Sequence, residues 1–185
     1  QAGGWTINWQ GTGTTNRDFP NGTSILAGLR QAVVATGGSV THLRELPARL
    51  PAADLAVVVF GENPYAEMKG DKPDVGYVPD EPLQTLRRLK QAGIATVSIF
   101  LSGRPLVVNQ ELAASDAFVA AWLPGIAGEG IADLLVADAH GQPRFDFTGR
   151  LSFSWPAKPG DAQLNVGDPG YAPKFPFGYG LTYQP

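Results

Sequence analysis

Residues 54–71 read DLAVVVFGENPYAEMKGD, an apolar run followed at once by a polar loop. The run from Asp54 to Phe60 is apolar and rich in β-branched residues, which predicts a buried strand. Two further runs have the same character, Ile94 to Leu101 (IATVSIFL) and Asp116 to Leu123 (DAFVAAWL). Because the runs are continuous rather than alternating, we expect three neighbouring strands in one sheet, each buried on both faces.

Helical patterns separate these runs. One apolar stripe extends from Ile25 to Val33 before Gly37, and a second helix runs from near Asp80 to Gly93, with a glycine placed to end each. The other predicted elements are a short helix after Val108, a helix over Glu129 to Val136, and short strands over Ser39 to Leu43 and Arg150 to Trp155. The alternation predicts an α/β fold, a three-layer α/β/α sandwich with a mostly parallel sheet of about five to six strands.

The composition excludes several classes of partner. A chain of 185 residues that is 43% hydrophobic is sized for one domain with a continuous core. The net charge of −3 provides no basic field, so no nucleic acid partner is expected. The apolar runs are far shorter than the roughly 20 residues of a membrane span, so no membrane partner is expected either. With no cysteine, disulfides and thiolate metal sites are impossible.

The loop that follows the first strand, Gly61 to Asp71, lies where ligands bind in parallel α/β sheets, beyond the carboxyl end of a strand. It combines carboxylates, a cation and an aromatic ring: Glu62, Tyr65, Glu67, Lys69 and Asp71. A general acid and a sugar-binding surface need such groups. A solvated loop of the same composition is an equally good interpretation of this segment taken alone.

A second candidate segment is GGWTINWQG, residues 3–11, in which Trp5 and Trp9 lie between glycines. A tryptophan in an irregular segment can stack on the apolar face of a pyranose ring. Core packing is the competing interpretation, and for either tryptophan alone it is favoured, because tryptophan is mostly buried in proteins.

Six segments together resemble the second domain of family 3 glycoside hydrolases, in order and over nearly the whole chain. They are GGWTINWQG, GENPYAEMKGD, SGRPLVV (residues 102–108), AAWLPG (120–125), FTGRLSFSWP (147–156) and FGYGLTY (177–183). The resemblance implies that residues 1–185 form the acid/base-bearing domain of a β-glucosidase or exo-β-1,3/1,4-glucanase. It further implies a preceding (β/α)8 barrel domain that carries the nucleophilic aspartate.

Residue by residue, the resemblance implies that Glu67 is the general acid/base and that Trp9 stacks on the sugar on the leaving-group side. Trp5 matches no sugar-contacting position, so its core interpretation stands. The implied substrates are β-linked glucosides and gluco-oligosaccharides, cleaved from the non-reducing end by the retaining scheme. Glu67 must be protonated to start that reaction, and the isolated chain should be inactive because it lacks the nucleophile.

The other charged residues of the loop, Glu62, Lys69 and Asp71, are expected to brace it by ion pairs and hydrogen bonds. Tyr65 belongs to the same motif and is a supporting candidate. Arg104, in a Gly-Arg-Pro turn after the second strand, could reach sideways and bind Glu62 or Glu67 as a bidentate partner.

Other chemistries lack support in the sequence. His42 and His140 are the only histidines, and no ligand spacing indicates a metal. His140 is expected to be a solvated turn residue. No phosphate loop or dinucleotide motif is present, so we expect no cofactor.

Two alternatives to the enzyme remain: a non-catalytic carbohydrate-binding or regulatory α/β module, and, more distantly, a flavodoxin-like signalling domain. The length of the reading frame upstream of Gln1 would separate the enzyme from the module. Members of the family usually begin this domain with a strand immediately before the GGW segment. That strand is absent here, so one position in the sheet is expected to be unpaired. A secreted or periplasmic location is expected.

Overall fold

A computed structural model describes residues 5–183 and places three parallel strands side by side. They are β1 (Leu55–Gly61), β2 (Ala95–Leu101) and β3 (Ala117–Ala120), in the order β1-β2-β3. The registers align Val57 with Val97 and Ile99 with Val119. The prediction that the three apolar runs are neighbours in one parallel sheet is confirmed.

Four α-helices accompany the sheet, at the predicted places. They are α1 (Ile25–Ala35), α2 (Glu81–Gln91), α3 (Asn109–Ala114) and α4 (Gly128–Leu135), preceded by a short 3-10 helix over Asn16–Asp18. Ser24 caps α1 by accepting a hydrogen bond from the Ala27 amide at 3.1 Å. Gly37 and Gly93 follow α1 and α2 with φ of +86° and +71°, the left-handed conformation that ends a helix. No helix in the described part of the chain is long and apolar enough to cross a membrane.

The helices cover the sheet as two outer layers. Successive side chains of β2 point to opposite faces, so Phe100 packs in one core with α2 and α3 while Ile99 packs in another with α1 and α4. Both side chains are fully buried, with 1% and 0% exposure. The α/β class and the three-layer arrangement are therefore confirmed.

Burial of all three runs on both faces is wrong for the two outer strands: no residue of β3 is fully buried, and β1 is open on one face. Leu55 is 50% exposed and Val59 is 43% exposed, and both project from the face that α1 and α4 cover on the neighbouring strand. The two helices pack around Ile99 at the centre of β2, so their cover thins out toward β1 at the edge of the sheet.

The predicted number of strands is also wrong, because the described residues form a three-stranded sheet. Ser39 to Leu43 joins no ladder in the described chain, and its side chains are mostly exposed. Arg150 to Trp155 contributes one antiparallel bridge, between Trp155 and Phe175. The Trp155 indole is buried and donates to the Leu106 carbonyl at 2.8 Å, so this segment packs on the core through a side chain instead of extending the sheet.

Candidate active site

The polar loop after β1 begins as a continuation of the sheet and then folds into a tight turn. The Glu62 amide donates to the Leu101 carbonyl at 2.9 Å, which prolongs the pairing with β2. Four residues later the chain reverses, because the Gly70 amide donates to the Ala66 carbonyl at 2.8 Å. Met68 takes a left-handed φ of +69° within this reversal. Glu67 therefore lies at the bend of the turn and projects from the carboxyl edge of the sheet.

The side chain of Glu62, at the start of the loop, is buried, and its carboxylate contacts two cations and a hydroxyl group. Its side chain is 6% exposed, and its carboxylate lies 3.3 Å from Arg104 Nε and 3.7 Å from Lys72 Nζ. The Tyr65 hydroxyl lies 3.2 Å away and can donate to it. A buried carboxylate with these partners is held in place as a structural ion pair.

Arg104 clamps both ends of the turn that carries Glu67. Its Nε donates to the Tyr65 hydroxyl at 2.7 Å, and its Nη1 donates to the Gly70 carbonyl at 2.6 Å. The guanidinium also lies over the Tyr65 ring, 4.0 Å from the ring centroid, in a cation–π contact. The arginine thus reaches Glu62 as predicted, but through Nε alone and not as a bidentate pair.

Tyr65 links these charged groups, and its environment alters its acidity. Burial raises the pKa of the Tyr65 hydroxyl, and the negative charge of Glu62 raises it further, while Arg104 acts in the opposite direction. The hydroxyl therefore stays protonated at neutral pH, as its hydrogen bond to Glu62 requires.

Glu67 stands exposed at an open cleft of about 300 Å³. The walls come from the loop, from the segment that contains Trp5 and Trp9 (residues 5–11, the tryptophan segment) and from the turns after β2 and β3. The lining residues are Trp5, Tyr65, Ala66, Glu67, Gly70, Asp71, Gly103 and Leu123. Gly103 allows the Tyr65 hydroxyl to approach the backbone of the turn after β2, because a β-carbon at position 103 would lie 2.6 Å from that hydroxyl. The cleft lies at the carboxyl edge of the parallel sheet, where the sequence predicted chemistry.

Beside this cleft the tryptophan segment forms a loop in which residues 5 and 11 come into contact. The Trp5 amide donates to the Gly11 carbonyl at 3.3 Å, and a β-carbon at position 11 would lie 2.3 Å from the Trp5 Cα, so only glycine fits. The Trp9 side chain is 63% exposed. Gly3 and Gly4, which open the motif, lie outside the described residues.

The assignment of Trp5 to core packing is wrong in part. The Trp5 ring is half-buried, meets the Tyr65 ring edge to face at a centroid distance of 5.7 Å, and lines the cleft. Among the described residues its Nε1 is buried without a hydrogen-bond partner, as is Arg104 Nη2. Trp5 thus belongs to the wall that faces Glu67.

Gln10 ties the tryptophan segment to the turn, a role that sequence reasoning missed. The Ala66 amide donates to Gln10 Oε1 at 2.8 Å, and Gln10 Nε2 donates to the Glu67 carbonyl at 3.3 Å. One side-chain amide therefore satisfies two consecutive residues of the turn. The only sequence signal was its position directly after Trp9.

The remaining candidates lie nearby or elsewhere. Lys69 and Asp71 are exposed in the same turn, and Asp71 lines the cleft. His42 and His140 are exposed, and the His140 amide donates to Asp138 Oδ1 in a turn, as expected. Across residues 5–183, no cluster of three or more histidine, aspartate or glutamate side chains is placed to hold a metal ion.

Known proteins resemble most or all of this chain. The exo-1,3/1,4-β-glucanase of a Pseudoalteromonas species is 52% identical and superposes with a TM-score of 0.92, covering 99% of this chain and 23% of its own. The lysosomal β-glucosidase of Dictyostelium discoideum is 33% identical, covering 98% of this chain and 24% of the relative. The periplasmic β-glucosidase of Salmonella typhimurium is 28% identical, covering 71% of this chain and 19% of the relative.

The chain thus spans about a quarter or less of the length of these relatives. The model of the glycosyl hydrolase family 3 C-terminal domain matches residues 1–183. This match, with the glucanase structure at 52% identity, shows that the chain belongs to glycosyl hydrolase family 3 as a C-terminal domain.

Proposed function

We propose that this domain supplies the general acid/base of a retaining glycoside hydrolase that removes glucose from the non-reducing ends of β-glucosides and β-glucans. Glu67 is the acid/base and Trp9 the sugar-stacking residue, while the nucleophilic aspartate comes from a preceding barrel domain. The observation that carries the proposal is the exposure of Glu67 at a cleft walled by Trp5 and Tyr65. The names of the β-glucosidase and β-glucanase relatives support the substrate class.

The chemistry divides into two steps. In the first, the nucleophile attacks the anomeric carbon and the glycosidic C–O bond breaks, while Glu67 gives its proton to the departing oxygen. In the second, water attacks the anomeric carbon of the glycosyl-enzyme, and the Glu67 carboxylate takes the water proton as the bond to the nucleophile breaks. Glu67 is protonated again at the end, so the cycle is closed.

The contrast with Glu62 supports this assignment. A proton donor that serves a substrate held by another domain has to present a free carboxyl group, as exposed Glu67 does. Glu62 is 6% exposed and already contacts Arg104 and Lys72. It therefore acts on the turn and not on the sugar.

Trp9 and Glu67 fit a shared site because Gln10, directly after Trp9, hydrogen-bonds to Ala66 and Glu67. A sugar stacked on the exposed Trp9 indole on the leaving-group side would bring its glycosidic oxygen toward the acid. The periplasmic and lysosomal relatives support a secreted or periplasmic location.

The test is Glu67→Gln in the full-length enzyme. This change preserves shape and removes the proton donor, so substrates with poor leaving groups should lose about 10²–10⁴-fold in rate. An activated aryl glycoside needs no acid but still needs the base, so its covalent intermediate should accumulate. Added azide, which needs no base, should restore turnover and give a glycosyl azide.

Glu62→Gln is the matched control, since it alters a glutamate of the same loop. It should show neither dependence on the leaving group nor rescue by azide. The assignment of Glu67 is overturned if its variant loses activity equally on good and poor leaving groups without rescue, or if Glu62→Gln alone produces the rescue pattern.

A further inference from the structure

A second cleft of about 300 Å³ has its walls outside the residues assigned to the chemistry. Its walls come from three separate parts of the chain: Val75, Pro105, Phe153, Ser154, Pro156 and residues 161–165. We propose that this cleft binds the glucosyl units of a β-glucan chain that lie farther out on the leaving-group side. The inference rests on the proposed function and extends it to the length of the substrate.

The proximity of the two clefts is the first argument. Gly103 lines the first cleft and Pro105 lines the second, and Cα atoms two residues apart lie within about 7.6 Å of each other. The turn after β3 makes a second connection. Leu123 lines the first cleft, and the adjoining Trp122 contacts Phe153, which lines the second.

Phe153 supplies an aromatic surface that is held in position and partly open to solvent. Its side chain is 38% exposed, and its ring meets the Trp122 ring edge to face, with centroids 5.4 Å apart and planes at 87°. Trp122 in turn contacts Trp155, which is 3% exposed and anchored in the core. A ring that is held by a neighbouring ring and partly open to solvent can stack on the apolar face of a pyranose without losing much side-chain freedom.

The wall formed by residues 161–165 supplies polar groups suited to sugar hydroxyls. Gln163 and Asn165 are exposed and carry amides that can both donate and accept hydrogen bonds. Asp161 already accepts from the Ala157 and Lys158 amides at 3.2 Å and 3.0 Å, so its carboxylate stabilises the loop. The wall combines neutral donors and acceptors around an aromatic surface, which fits an uncharged sugar better than an ion.

This wall is preformed although it contains no helix or strand. The Val75 amide donates to the Pro159 carbonyl at 3.0 Å, and the Asn165 amide donates to Asp168 Oδ2 at 2.8 Å. The Ser154 and Tyr171 hydroxyls lie 2.7 Å apart and share a hydrogen bond. Binding would therefore require little ordering of the loop.

The test measures kcat/KM of the full-length enzyme for β-1,3-linked gluco-oligosaccharides of increasing length. Phe153→Ala should leave the disaccharide unaffected and lower kcat/KM for longer oligosaccharides about three- to tenfold, the range for an aromatic contact. Phe153→Leu keeps more of the packing volume against Trp122 and should show the same length dependence. Phe145→Ala removes an exposed phenylalanine outside the cleft and should change no substrate.

The two proposals fail in different ways. The subsite proposal is overturned if the Phe153 variants lower kcat/KM equally for oligosaccharides of every length. It is also overturned if they lower kcat/KM for none of them. If the wild-type enzyme hydrolyses no β-glucoside, the proposed function is overturned instead. Gln163→Ala gives an independent check, because it should lower kcat/KM for longer substrates without disturbing the packing around Trp122.

Discussion

Glu62 and Glu67 lie five residues apart in one loop and have opposite environments. Glu62 is 6% exposed and held by Arg104 and Lys72, whereas Glu67 is exposed at the cleft. The sheet explains the difference, because the Glu62 amide still pairs with β2, while Glu67 lies beyond the reversal of the chain. One glutamate secures the loop, and the other is exposed, as its proposed acid/base role requires.

Removal of Arg104, which holds Glu62 in place, should have the largest effect on stability. Arg104→Met leaves the buried Glu62 carboxylate with Lys72 at 3.7 Å and removes the hydrogen bonds to Tyr65 and Gly70. We expect the free energy of unfolding to fall by about 3 kcal/mol, because one partner of a buried pair is lost. Chemical denaturation of the 185-residue chain measures this value.

A surface pair provides the control for the arginine. Arg144 lies 3.3 Å from Asp133, with exposures of 43% and 34%, so Arg144→Met should cost less than about 1 kcal/mol. The double variant Glu62→Gln, Arg104→Met should recover part of the loss, because the only charge left without its partner is that of Lys72, which is exposed. Equal costs for Arg104 and Arg144 would show that Glu62 is effectively solvated.

Removal of the Gln10 amide should loosen the Glu67 side of the loop with a smaller effect. Gln10→Ala removes the hydrogen bonds to the Ala66 amide and the Glu67 carbonyl, for a cost of about 1 kcal/mol in stability. In the full-length enzyme kcat/KM should fall by about tenfold although Trp9 and Glu67 are both present, because their relative placement is lost. Steady-state kinetics and thermal melting measure the two effects.

Gln84→Ala serves as the control for Gln10. Gln84 makes one exposed hydrogen bond to Asp80 at 3.0 Å on helix α2, away from the cleft. Its loss should leave kcat/KM unchanged. An unchanged kcat/KM in Gln10→Ala would refute the coupling between the tryptophan segment and the turn.

At neutral pH the smallest effect is expected from a tyrosine next to the start of the loop, because its contribution to stability changes only in alkali. Burial first, and then the charges of Glu111 and Glu62, raise the pKa of Tyr77 to about 12. The unfolded chain releases this proton near pH 10, so the contribution to stability is complete below pH 10 and is lost between pH 10 and about 12.

Tyr77→Phe should therefore reduce the loss of stability across that range. It should cost little at pH 7, because the hydroxyl donates to the Gly61 carbonyl over a long 3.4 Å. Denaturation at several pH values measures the slope, with Tyr179→Phe as the control. The same slope in Tyr77→Phe and wild type would contradict the raised pKa.

The sequence predicted most of the elements because their signals are local. Apolar runs marked the three strands, and Gly37 and Gly93 marked the ends of two helices. The loop containing Glu67 was predicted as a candidate site because it directly follows the first strand and carries carboxylates, with a solvated loop as the equal alternative. Long-range contacts carry weaker signals, so the single-point contact of Arg104 with Glu62 and the role of Gln10 emerged only from the structure.

The second cleft could not be predicted from the sequence at all, because it depends entirely on long-range contacts. Val75, Pro105, Phe153 and Asp161 come together from distant parts of a chain without periodicity in that region. The overpredicted strand at Arg150 to Trp155 has a related cause. An apolar pattern shows that a segment is buried, but not whether backbone pairing or side-chain packing buries it.

The Gln10 amide also has a dynamic consequence. Trp9 is exposed, and the turn at Glu67 lies outside every helix and strand, so each would move widely relative to the sheet if it were independent. The Gln10 side chain ties the tryptophan segment to the backbone of the turn, so we expect the displacements of the two segments to be correlated. Under the roles proposed above, Trp9 and Glu67 would follow a moving sugar together, with the acid kept near the bond to be cleaved.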